Sequence, residues 1–427
     1  MKLLSVKIDG FRNLKDIHIS FSDMCALVST NDYGKSNLLD AIKFTTDFML
    51  ESRDSKRKMM ADMSCIPYNI NHHPDVFSAE LLLAVDFDGL ECIVEYHFAF
   101  EWRYEEECKI VSESLKIKQD RSKKFTTLIN RDESSAQYKA SDAARCNSKI
   151  SVDDYELILN KLQAYEDLCY HSIICKLNNI EIYVDRYLDA SSSYQPDPFI
   201  RKDFNELDLE SLHNLPRILF FLSKQYPDEY HRLEDAYMQL FPNIIEIQIR
   251  ELELNAPMIS EPTDDFSHVI ADKIYLMRFK DKNLHRLLDM DSLSGGAKRA
   301  FVLLTRCVIA DIRQMPLLAF EELENCVHPS LLKMLLSIIK QLTNDDCKIL
   351  LVSHSPYLVS YLNPQDIYVG LPNDEGIAEF LCIKNGKKLL IDAYESNCSI
   401  GDLLFDLMSS DHDNLLKYLG RNKAGLN

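Results

Sequence analysis

The fold of this chain is decided by four short stretches that occur in this order: Ser29-Thr30-Asn31-Asp32-Tyr33-Gly34-Lys35-Ser36, Leu293-Ser294-Gly295-Gly296-Ala297-Lys298-Arg299, Leu317-Leu318-Ala319-Phe320-Glu321-Glu322 and Leu350-Leu351-Val352-Ser353-His354-Ser355-Pro356. Three of them follow or contain apolar runs that are typical of buried strands, and the second precedes a helical pattern. Each stretch alone is a weak signal, because short Gly- and Ser-containing sequences also occur in ordinary loops. Together they predict the two halves of a composite ATP site.

The first stretch has the chemistry of a phosphate-binding loop. Such a loop needs backbone N–H groups at a helix N-terminus, a lysine for the β- and γ-phosphates and a hydroxyl group for Mg²⁺. Gly34, Lys35 and Ser36 supply these groups between an apolar run at residues 25–28 and a helical pattern. Ser29 stands where the usual pattern has glycine. We therefore predict ATP and Mg²⁺ as cofactors, with Ser36 as a metal ligand.

The second stretch predicts another anion-binding helix start. Ser294, Gly295 and Gly296 can bring backbone N–H groups close to a γ-phosphate, because glycine lets the backbone approach a ligand closely. The helix that follows is supported by one apolar stripe: Ala300, Leu303, Leu304, Cys307 and Val308. These three residues at the helix start, called the signature residues below, are therefore predicted to bind the nucleotide.

Two acids and a histidine follow the apolar runs of the third and fourth stretches. Carboxylates at the end of a buried strand are costly unless they serve a cation or a reacting water. We predict that Glu321 binds Mg²⁺ and that Glu322 acts as the general base on the attacking water. His354 follows the run 349–352, so it is expected at the same sheet edge, where it can hydrogen-bond the γ-phosphate. The alternatives are acids that mark a solvated strand end and a structural histidine.

The first half of the chain predicts an antiparallel β lobe followed by a helical insertion. Residues 76–130 have strand-like patterns, with Asp88-Gly89 as a hairpin turn between two of the strands. The Ser- and Ala-rich residues 131–149 contain few large apolar groups and are predicted to form a surface loop. Residues 151–240 are predicted to be mainly helical.

The second half of the chain predicts a mostly parallel core sheet. After Ser294 the pattern alternates between helix and strand up to His354, as it does where parallel strands are joined by crossover helices. Asn385-Gly386 is predicted to form another hairpin turn. The fold class is therefore α/β, with three predicted domains along the chain: residues 1–130 as an N-terminal ATPase lobe with the phosphate loop, residues 131–245 as a loop and helical insertion, and residues 246–427 as a C-terminal ATPase lobe.

Composition and net charge limit the classes of protein to which the chain can belong. Over 427 residues the apolar fraction is 46% and the charged fraction 27%, which is typical of a folded protein with a large core. The net charge of −19 argues against nonspecific nucleic-acid binding over the whole surface, although a local basic groove stays open. Scattered cysteines without a Cys-x-x-Cys pair, no signal peptide and no apolar run near ~20 residues predict a cytoplasmic protein that does not span a membrane.

The four stretches and the opening Ile8-Asp9-Gly10-Phe11-Arg12-Asn13 resemble the ABC-type ATPase heads of the group that includes RecF, the chromosome-structure proteins and the overcoming-lysogenization-defect nucleases. Asn325-Cys326-Val327-His328-Pro329 stands where this group has its dimer-contact loop. The likeness covers nearly the whole chain and is greatest to small ATPases of bacterial phage-defence operons. It implies an ABC-ATPase head, copies of which bind head to tail with ATP between them in a dimer or a higher oligomer.

The resemblance also implies which residues form the shared site. The phosphate loop of one copy would face the Ser294–Gly296 segment of the other. Arg12, Asn31 and Asn37 would contact the nucleotide. Because half of each site comes from the partner, an isolated copy should hydrolyse ATP poorly.

Three residues depart from the pattern of that group: Ser29 replaces glycine, Glu321 replaces aspartate, and Leu323 replaces the proline after the catalytic acid. Glu321 is one methylene longer than aspartate, which changes the reach of a metal-binding carboxylate. We therefore expect slow hydrolysis or a switch driven by ATP binding. A structural role for ATP, without hydrolysis, is a further alternative.

Two biological roles are compatible with these features. The first is a defence ATPase that controls a separate nuclease or toxin, as in Septu or PARIS systems, because too little sequence follows His354 for the acidic nuclease domain of the larger relatives. The second is a DNA-repair loader similar to RecF. The net negative charge argues against this role, as does the lack in residues 151–240 of a basic face with aromatic residues among the basic ones. A transporter motor is disfavoured, because its phosphate loop and signature lie much closer together in sequence.

Overall fold

The computed structural model describes residues 1–29, 34–69, 73–103, 108–119, 124–185, 199–201, 204–207, 214–254, 268–371 and 375–420. Within these ranges the strands are β1 (Lys2–Asp9), β2 (Ile17–Ser20), β3 (Met24–Val28), β4 (Val76–Phe87), β5 (Leu90–Glu101), β6 (Ile110–Gln119), β7 (Thr126–Arg131), β8 (Ala136–Lys139), β9 (Cys146–Lys149), β10 (Ile182–Asp185), β11 (Phe199–Arg201), β12 (Ile244–Glu253), β13 (His268–Ile270), β14 (Lys273–Asp281), β15 (Leu288–Asp289), β16 (Leu317–Glu321), β17 (Lys348–Ser353), β18 (Ile367–Leu371), β19 (Glu379–Ile383) and β20 (Leu419–Gly420). The helices are α1 (Lys35–Leu50), α2 (Arg53–Met59), α3 (Ile158–Lys161), α4 (His171–Leu177), α5 (Leu215–Gln225), α6 (Pro227–Leu240), α7 (Gly295–Ile312), α8 (Pro329–Leu342), α9 (Pro356–Val359), α10 (Gly386–Glu395), α11 (Ile400–Ser410) and α12 (His412–Leu416). None of these helices is long and apolar enough to cross a bilayer.

The described residues form two compact units, each assembled from separate parts of the chain. The first unit contains Met1–Val184, Met315–Glu322 and Asp345–Asn427, and the second contains Asp185–Gln314 and Leu323–Asn344. The first unit therefore contains described segments from both halves of the chain. The three predicted domains divide the chain into consecutive segments, whereas each compact unit combines separate segments. The division into three domains stays a prediction.

The core sheet of the first unit has, within the described ranges, the strand order β10-β16-β17-β3-β18-β19-β20. The pairs β16–β17, β17–β3 and β3–β18 are parallel, whereas β18–β19 and β19–β20 are antiparallel. Every residue of β3 and β17 is buried, as is typical of parallel strands that are covered on both faces. The predicted α/β fold with a mostly parallel core sheet is confirmed, and its parallel strands bring their carboxyl ends to one edge.

A second, antiparallel sheet lies in the same unit and has the order β2-β1-β4-β5-β6-β7-β8-β9. The turn between β4 and β5 consists of Asp88 and Gly89, whose φ angles of 53° and 76° match a type I′ hairpin turn. Trp102 follows β5, and its indole Nε1 donates to the Gly10 carbonyl oxygen at 2.7 Å. The predicted antiparallel lobe is therefore confirmed.

The predicted surface loop at residues 131–149 is wrong, because this segment contains β8 and β9. Asp132 accepts hydrogen bonds from the backbone N–H groups of Ser134 at 2.9 Å and Ser135 at 2.8 Å, which stabilises a tight turn after β7. Beyond this turn, Tyr138 lies in register with β7 and extends the sheet. Composition misled the prediction, since pairing with an existing strand depends on its neighbours more than on large apolar side chains.

The segment 151–240 is helical only in part. The predicted helices are present as α3, α4, α5 and α6, but β10 interrupts them and forms the edge of the core sheet. Ile182 and Tyr183 in β10 are both buried. β-Branched and aromatic residues favour a strand where a half-buried sheet surface is available, so sheet packing decided the structure of this short segment.

The predicted hairpin turn at Asn385-Gly386 is also wrong. Gly386 is the first residue of α10, and the Asn385 carbonyl oxygen accepts a hydrogen bond from the Leu389 N–H at 3.0 Å. Leu389 and Ala393 are both buried and stand four residues apart, which is the spacing of one helix face. This helical periodicity outweighed the turn preference of the Asn-Gly pair.

An aromatic cluster holds α1 against the antiparallel lobe. The ring centroids of Phe48 and Phe100 are 4.7 Å apart, and those of Phe44 and Phe77 are 5.3 Å apart. Aromatic pairs at such distances contribute about 0.5–1.5 kcal/mol each beyond the burial of their area. The cluster therefore fixes the direction of α1, whose first turn carries the end of the phosphate loop.

The second unit is built around α7. Arg306 on this helix forms a buried ion pair with Asp185 at the end of β10. Tyr237 of α6 packs edge to face against Phe301, with ring centroids 4.7 Å apart. Loss of either partner of a buried ion pair leaves the other charge unpaired, so such a pair strongly restrains its element. These contacts hold the helix that begins at Gly295.

Candidate nucleotide-binding site

Three parallel strands of the first unit end in register. Glu321 of β16 lies opposite Val352 of β17, and Ser353 of β17 lies opposite Val28 of β3. The strand order therefore places the ends of β16, β17 and β3 side by side at one edge of the sheet. The predicted site residues that end or follow these strands are Ser29, Glu321, Glu322 and His354.

The phosphate loop is described at its two ends. Gly34 precedes α1 with a φ of 86°, a left-handed conformation that glycine adopts without strain. Lys35 is 4% exposed, and its Nζ donates to the Ser29 Oγ at 2.7 Å and to the Ser29 carbonyl oxygen at 3.4 Å. Ser29 is not one of the described non-glycine residues with positive φ, so it replaces glycine without left-handed strain. Asn31 lies outside the described residues.

Gly34→Ala is expected to lower the free energy of unfolding more than Gly89→Ala does. An added Cβ at Gly34 would lie 2.8 Å from the Ala378 Cβ, whereas one at Gly89 would meet no atom within 4 Å. Both glycines have positive φ, so both variants carry the left-handed penalty of roughly 1–2 kcal/mol, and their difference reports the clash. Urea unfolding of the two variants is the measurement. Equal losses of stability would contradict the crowding at Gly34.

Ser36 and Glu321 meet at the amino end of α1. The Ser36 Oγ donates to the Glu321 Oε1 at 2.8 Å, although the two residues are 285 positions apart in sequence. Two neighbouring oxygen ligands of one octahedral Mg²⁺ lie roughly 3 Å apart, because each is about 2.1 Å from the metal. The hydroxyl and carboxylate oxygens therefore fit a Mg²⁺ ion. The longer side chain of glutamate reaches the hydroxyl group.

Glu322 has a strained backbone at the sheet edge. Its φ of 53° is a left-handed value that a residue with a long side chain rarely adopts. Its N–H donates to the Val352 carbonyl oxygen at 2.9 Å, which anchors the residue to the neighbouring strand. The Glu322 side chain is exposed, and His354, which follows that strand, is half-buried. Residues with a backbone strain of about 1–3 kcal/mol occur preferentially at functional sites in proteins.

Arg12 is held by the first turns of α1. Its Nη1 donates to the Asn37 Oδ1 at 2.9 Å and forms an ion pair with Asp40, and its Nε donates to the Ser64 carbonyl oxygen at 2.9 Å. Two residues that the resemblance implied, Arg12 and Asn37, are therefore in contact. Asp40 was missed in the sequence. The sequence signal for Asp40 is a carboxylate within a largely apolar helical pattern. Asp40 lies three residues after Asn37, so the two side chains are neighbours on the helix surface.

The loop before β19 borders the phosphate loop. The Asn13 carbonyl oxygen accepts a hydrogen bond from the Ala378 N–H at 2.9 Å, and the Asn37 Nδ2 donates to the Asn13 Oδ1 at 2.8 Å. The Asn69 Nδ2 donates to the Glu375 carbonyl oxygen at 3.0 Å. Sequence reasoning did not assign Asn13 or this loop to the site, because their contacts join distant segments and leave no local pattern.

The predicted signature residues lie in the second unit. Ser294 caps α7, and its side chain accepts a hydrogen bond from the Ala297 N–H at 3.2 Å. Ser294 and Gly295 are exposed, and a Cβ added at Gly295 would meet no atom within 4 Å. A Cβ at Gly296 would lie 2.7 Å from the Cys326 carbonyl oxygen, so this glycine lets the segment Leu323–Cys326 pack against α7. The amino end of α7 is therefore accessible to a ligand.

The chain is similar to solved structures of Smc head domains. One is titled "Crystal structure of the SmcHead bound to the C-winged helix domain of ScpA"; it is 14% identical with a TM-score of 0.51, and the match covers 91% of this chain and 100% of that chain. An SMC head domain from Thermotoga maritima is 14% identical with a TM-score of 0.44 over 90% of this chain and 100% of that chain. A Smc head domain bound to the C-terminal domain of ScpA, derived from Pyrococcus furiosus, is 12% identical with a TM-score of 0.48 over 92% and 99%. The first of these supports the ABC-ATPase-head fold alone.

The comparison with known families identifies a family in addition to the fold. A search of curated proteins found no match. One family matches residues 30–360, a span that contains Gly34, the signature residues, Glu321, Glu322 and His354. That span is well over half of the chain. The chain belongs to the family described as "AAA domain, putative AbiEii toxin, Type IV TA system".

Proposed function

We propose that this chain binds ATP with Mg²⁺ and hydrolyses it slowly, and that two copies close over the shared nucleotide. The observation that carries the proposal is the meeting of Lys35, the Ser36–Glu321 pair and Glu322 at the ends of β3 and β16. Membership of an AAA family supports the choice of ATP and Mg²⁺ as ligands. A buried lysine at the start of a helix also favours an anionic ligand, since phosphate can balance the charge of its ammonium group.

Each residue at this edge has a chemical task in the proposed reaction. Lys35 binds the β- and γ-phosphates, and Ser36 with Glu321 holds Mg²⁺, which neutralises charge on the phosphate oxygens. Glu322 takes the proton of the attacking water, and His354 donates a hydrogen bond to the γ-phosphate. Two protein oxygens suffice for Mg²⁺, because it usually keeps waters and phosphate oxygens as its other ligands.

The second half of each site is proposed to come from the partner copy. Ser294 and Gly295 are exposed at the start of α7, a helix of 18 residues. The N-terminus of such a helix carries unpaired N–H groups and a partial positive charge, so it binds phosphate oxygens. In the proposed dimer this helix start contacts the γ-phosphate of the ATP that is held by the other copy.

Mixing two inactive variants tests the shared site. Lys35→Ala removes the phosphate half and Ser294→Arg blocks the signature half, so each variant alone should lack ATPase activity. A mixture contains heterodimers with one complete site, so roughly a quarter of the unmodified turnover should return.

The control mixture combines Lys35→Ala with the double variant Lys35→Ala/Ser294→Arg. No pairing of these two variants forms a complete site, so this mixture should stay inactive. Circular dichroism checks that every variant is folded. If the first mixture also stayed inactive while the unmodified chain hydrolysed ATP, the shared site would be wrong.

The proposed biological role is that of a sensor or regulatory subunit in a bacterial anti-phage defence system. In this role the ATP-driven dimer controls a separate nuclease or toxin. The family description, which names a toxin–antitoxin system, supports a function in a toxin-containing system. Purification of the tagged chain together with the product of its neighbouring gene should recover that effector in a fixed ratio. Tight, salt-sensitive duplex DNA binding by the chain alone would instead favour a RecF-like repair function.

A further inference from the structure

The phosphate-loop lysine makes two contacts with the residue that replaces glycine. The Lys35 Nζ lies 2.7 Å from the Ser29 Oγ and 3.4 Å from the Ser29 carbonyl oxygen. Ser29 is fully buried and Lys35 is nearly so. A glycine at this position would supply the carbonyl oxygen but no hydroxyl group. The 2.7 Å contact therefore exists only because Ser29 has a side chain.

The neighbouring strand leaves space for that side chain. Val28 lies opposite Val369 in the parallel pair of β3 and β18, so Ser29 and Gly370 are the next residues along each strand. A Cβ added at Gly370 would lie 2.9 Å from the Ser29 Cβ and 3.2 Å from the Phe380 Cε1. Real Cβ atoms do not approach this closely, so the serine is accommodated by a glycine in the adjacent strand.

We infer that the Ser29 hydroxyl positions Lys35 in the nucleotide-free protein and thereby lowers the affinity for ATP, with Gly370 providing the space that this arrangement needs. This inference rests on the proposed ATP site. An ammonium group has three N–H donors, and the Lys35 Nζ lies within hydrogen-bond distance of two oxygens of Ser29. A phosphate-loop lysine binds oxygens of both the β- and γ-phosphates, so one contact with Ser29 must be exchanged when ATP binds.

The inference predicts opposite changes in two measured quantities. Removal of the hydroxyl group takes a hydrogen bond from the free protein, so the melting temperature without nucleotide should fall. The same removal takes nothing from the ATP-bound state if the hydroxyl has been displaced there, so ATP should bind more tightly. If the Ser29 hydroxyl group were purely structural, its removal would lower the melting temperature without increasing the affinity for ATP.

Ser29→Ala is the decisive variant, because it keeps the Cβ and removes only the Oγ. We expect its Kd for ATP, measured by calorimetry, to fall roughly tenfold, since one hydrogen bond to a charged group is no longer lost on binding. Thr45→Val is the matched control. Its hydroxyl group is also fully buried and donates at 2.7 Å, to the Ala41 carbonyl oxygen of the same helix. This control should lower the melting temperature and leave the Kd for ATP unchanged.

A steric swap tests the role of Gly370. Gly370→Ala alone should lower the melting temperature, because the new methyl group meets the Ser29 Cβ. Adding Ser29→Gly removes that Cβ, so the double variant Ser29→Gly/Gly370→Ala should regain most of the lost stability. A double variant that is no more stable than Gly370→Ala would overturn the pairing of the two positions.

The outcomes separate this inference from the proposed function. If the unmodified chain binds ATP and Ser29→Ala leaves the Kd unchanged or raises it, the inference is wrong and the proposed function stands. If the unmodified chain does not bind ATP at all, both are overturned. A lower Kd together with a lower melting temperature in the absence of nucleotide supports the inference.

Discussion

Lys35→Ala is expected to abolish ATP binding, with a loss of affinity of at least about 100-fold. The variant removes the cation that would bind the β- and γ-phosphates, and charge-assisted hydrogen bonds of this kind are about twice as strong as neutral ones. Lys35 is buried and donates to two Ser29 oxygens, so circular dichroism must confirm that the variant is folded. Isothermal calorimetry with ATP and Mg²⁺ is the measurement.

Lys43→Ala is the matched control for this prediction. Lys43 belongs to the same helix, but its Nζ forms an ion pair with Asp47 at 3.1 Å, one turn further along α1. A half-buried pair at this i,i+4 spacing on a helix contributes about 0.3–0.5 kcal/mol, so the control should lose little stability. Its affinity for ATP should equal that of the unmodified chain. If Lys35→Ala still bound ATP with the original affinity, the phosphate loop would be wrongly assigned.

Glu322→Gln is expected to stop hydrolysis while ATP stays bound. Glutamine keeps the size of the side chain and its left-handed backbone, but it cannot accept the proton of the attacking water. Loss of a general base lowers turnover by roughly 100- to 10,000-fold. Because the nucleotide then stays intact between the two copies, the dimer should become more stable in the presence of ATP. Phosphate release and gel filtration with ATP measure the two effects.

Two further variants separate the chemistry of Glu322 from its surroundings. Glu321→Gln should weaken the dependence on Mg²⁺ and should not trap a dimer, since Glu321 contacts the Ser36 hydroxyl group. Glu322→Gly should also lose hydrolysis but should gain about 1 kcal/mol of unfolding free energy, because glycine adopts the φ of 53° without strain. Normal turnover in Glu322→Gln would show that another group activates the water.

Predictions from local sequence patterns were correct where the residues that determine an element lie within one short segment. The buried strand β3, the amphipathic start of α1 and the Asp88-Gly89 turn were all predicted from residues within a few positions of each other. The carboxyl ends of β16 and β17 were predicted to share a sheet edge for the same reason, because parallel strands joined by helices point the same way. The register of these strands confirms that edge.

Predictions failed where a segment's structure depends on a neighbour. The polar residues of β8 form a strand because β7 supplies hydrogen-bonding partners, and Asn385-Gly386 starts a helix because Leu389 and Ala393 are buried together. Neither the pairing of β8 with β7 nor the burial of Leu389 and Ala393 can be read from the segment itself. Composition and turn propensity are weak preferences, and tertiary contacts of a few kcal/mol reverse them.

The order of the chemical groups was determined by the sequence alone: a lysine and a hydroxyl group at a helix start, two acids and a histidine after buried strands, and glycines before another helix. Only the tertiary structure decided which of these groups touch. Ser36 reaches Glu321 across 285 positions, and Gly370 makes room for Ser29, because sheet register brings distant segments together. A hydrogen bond needs its two atoms within about 3 Å, and no local periodicity sets such a distance between remote segments.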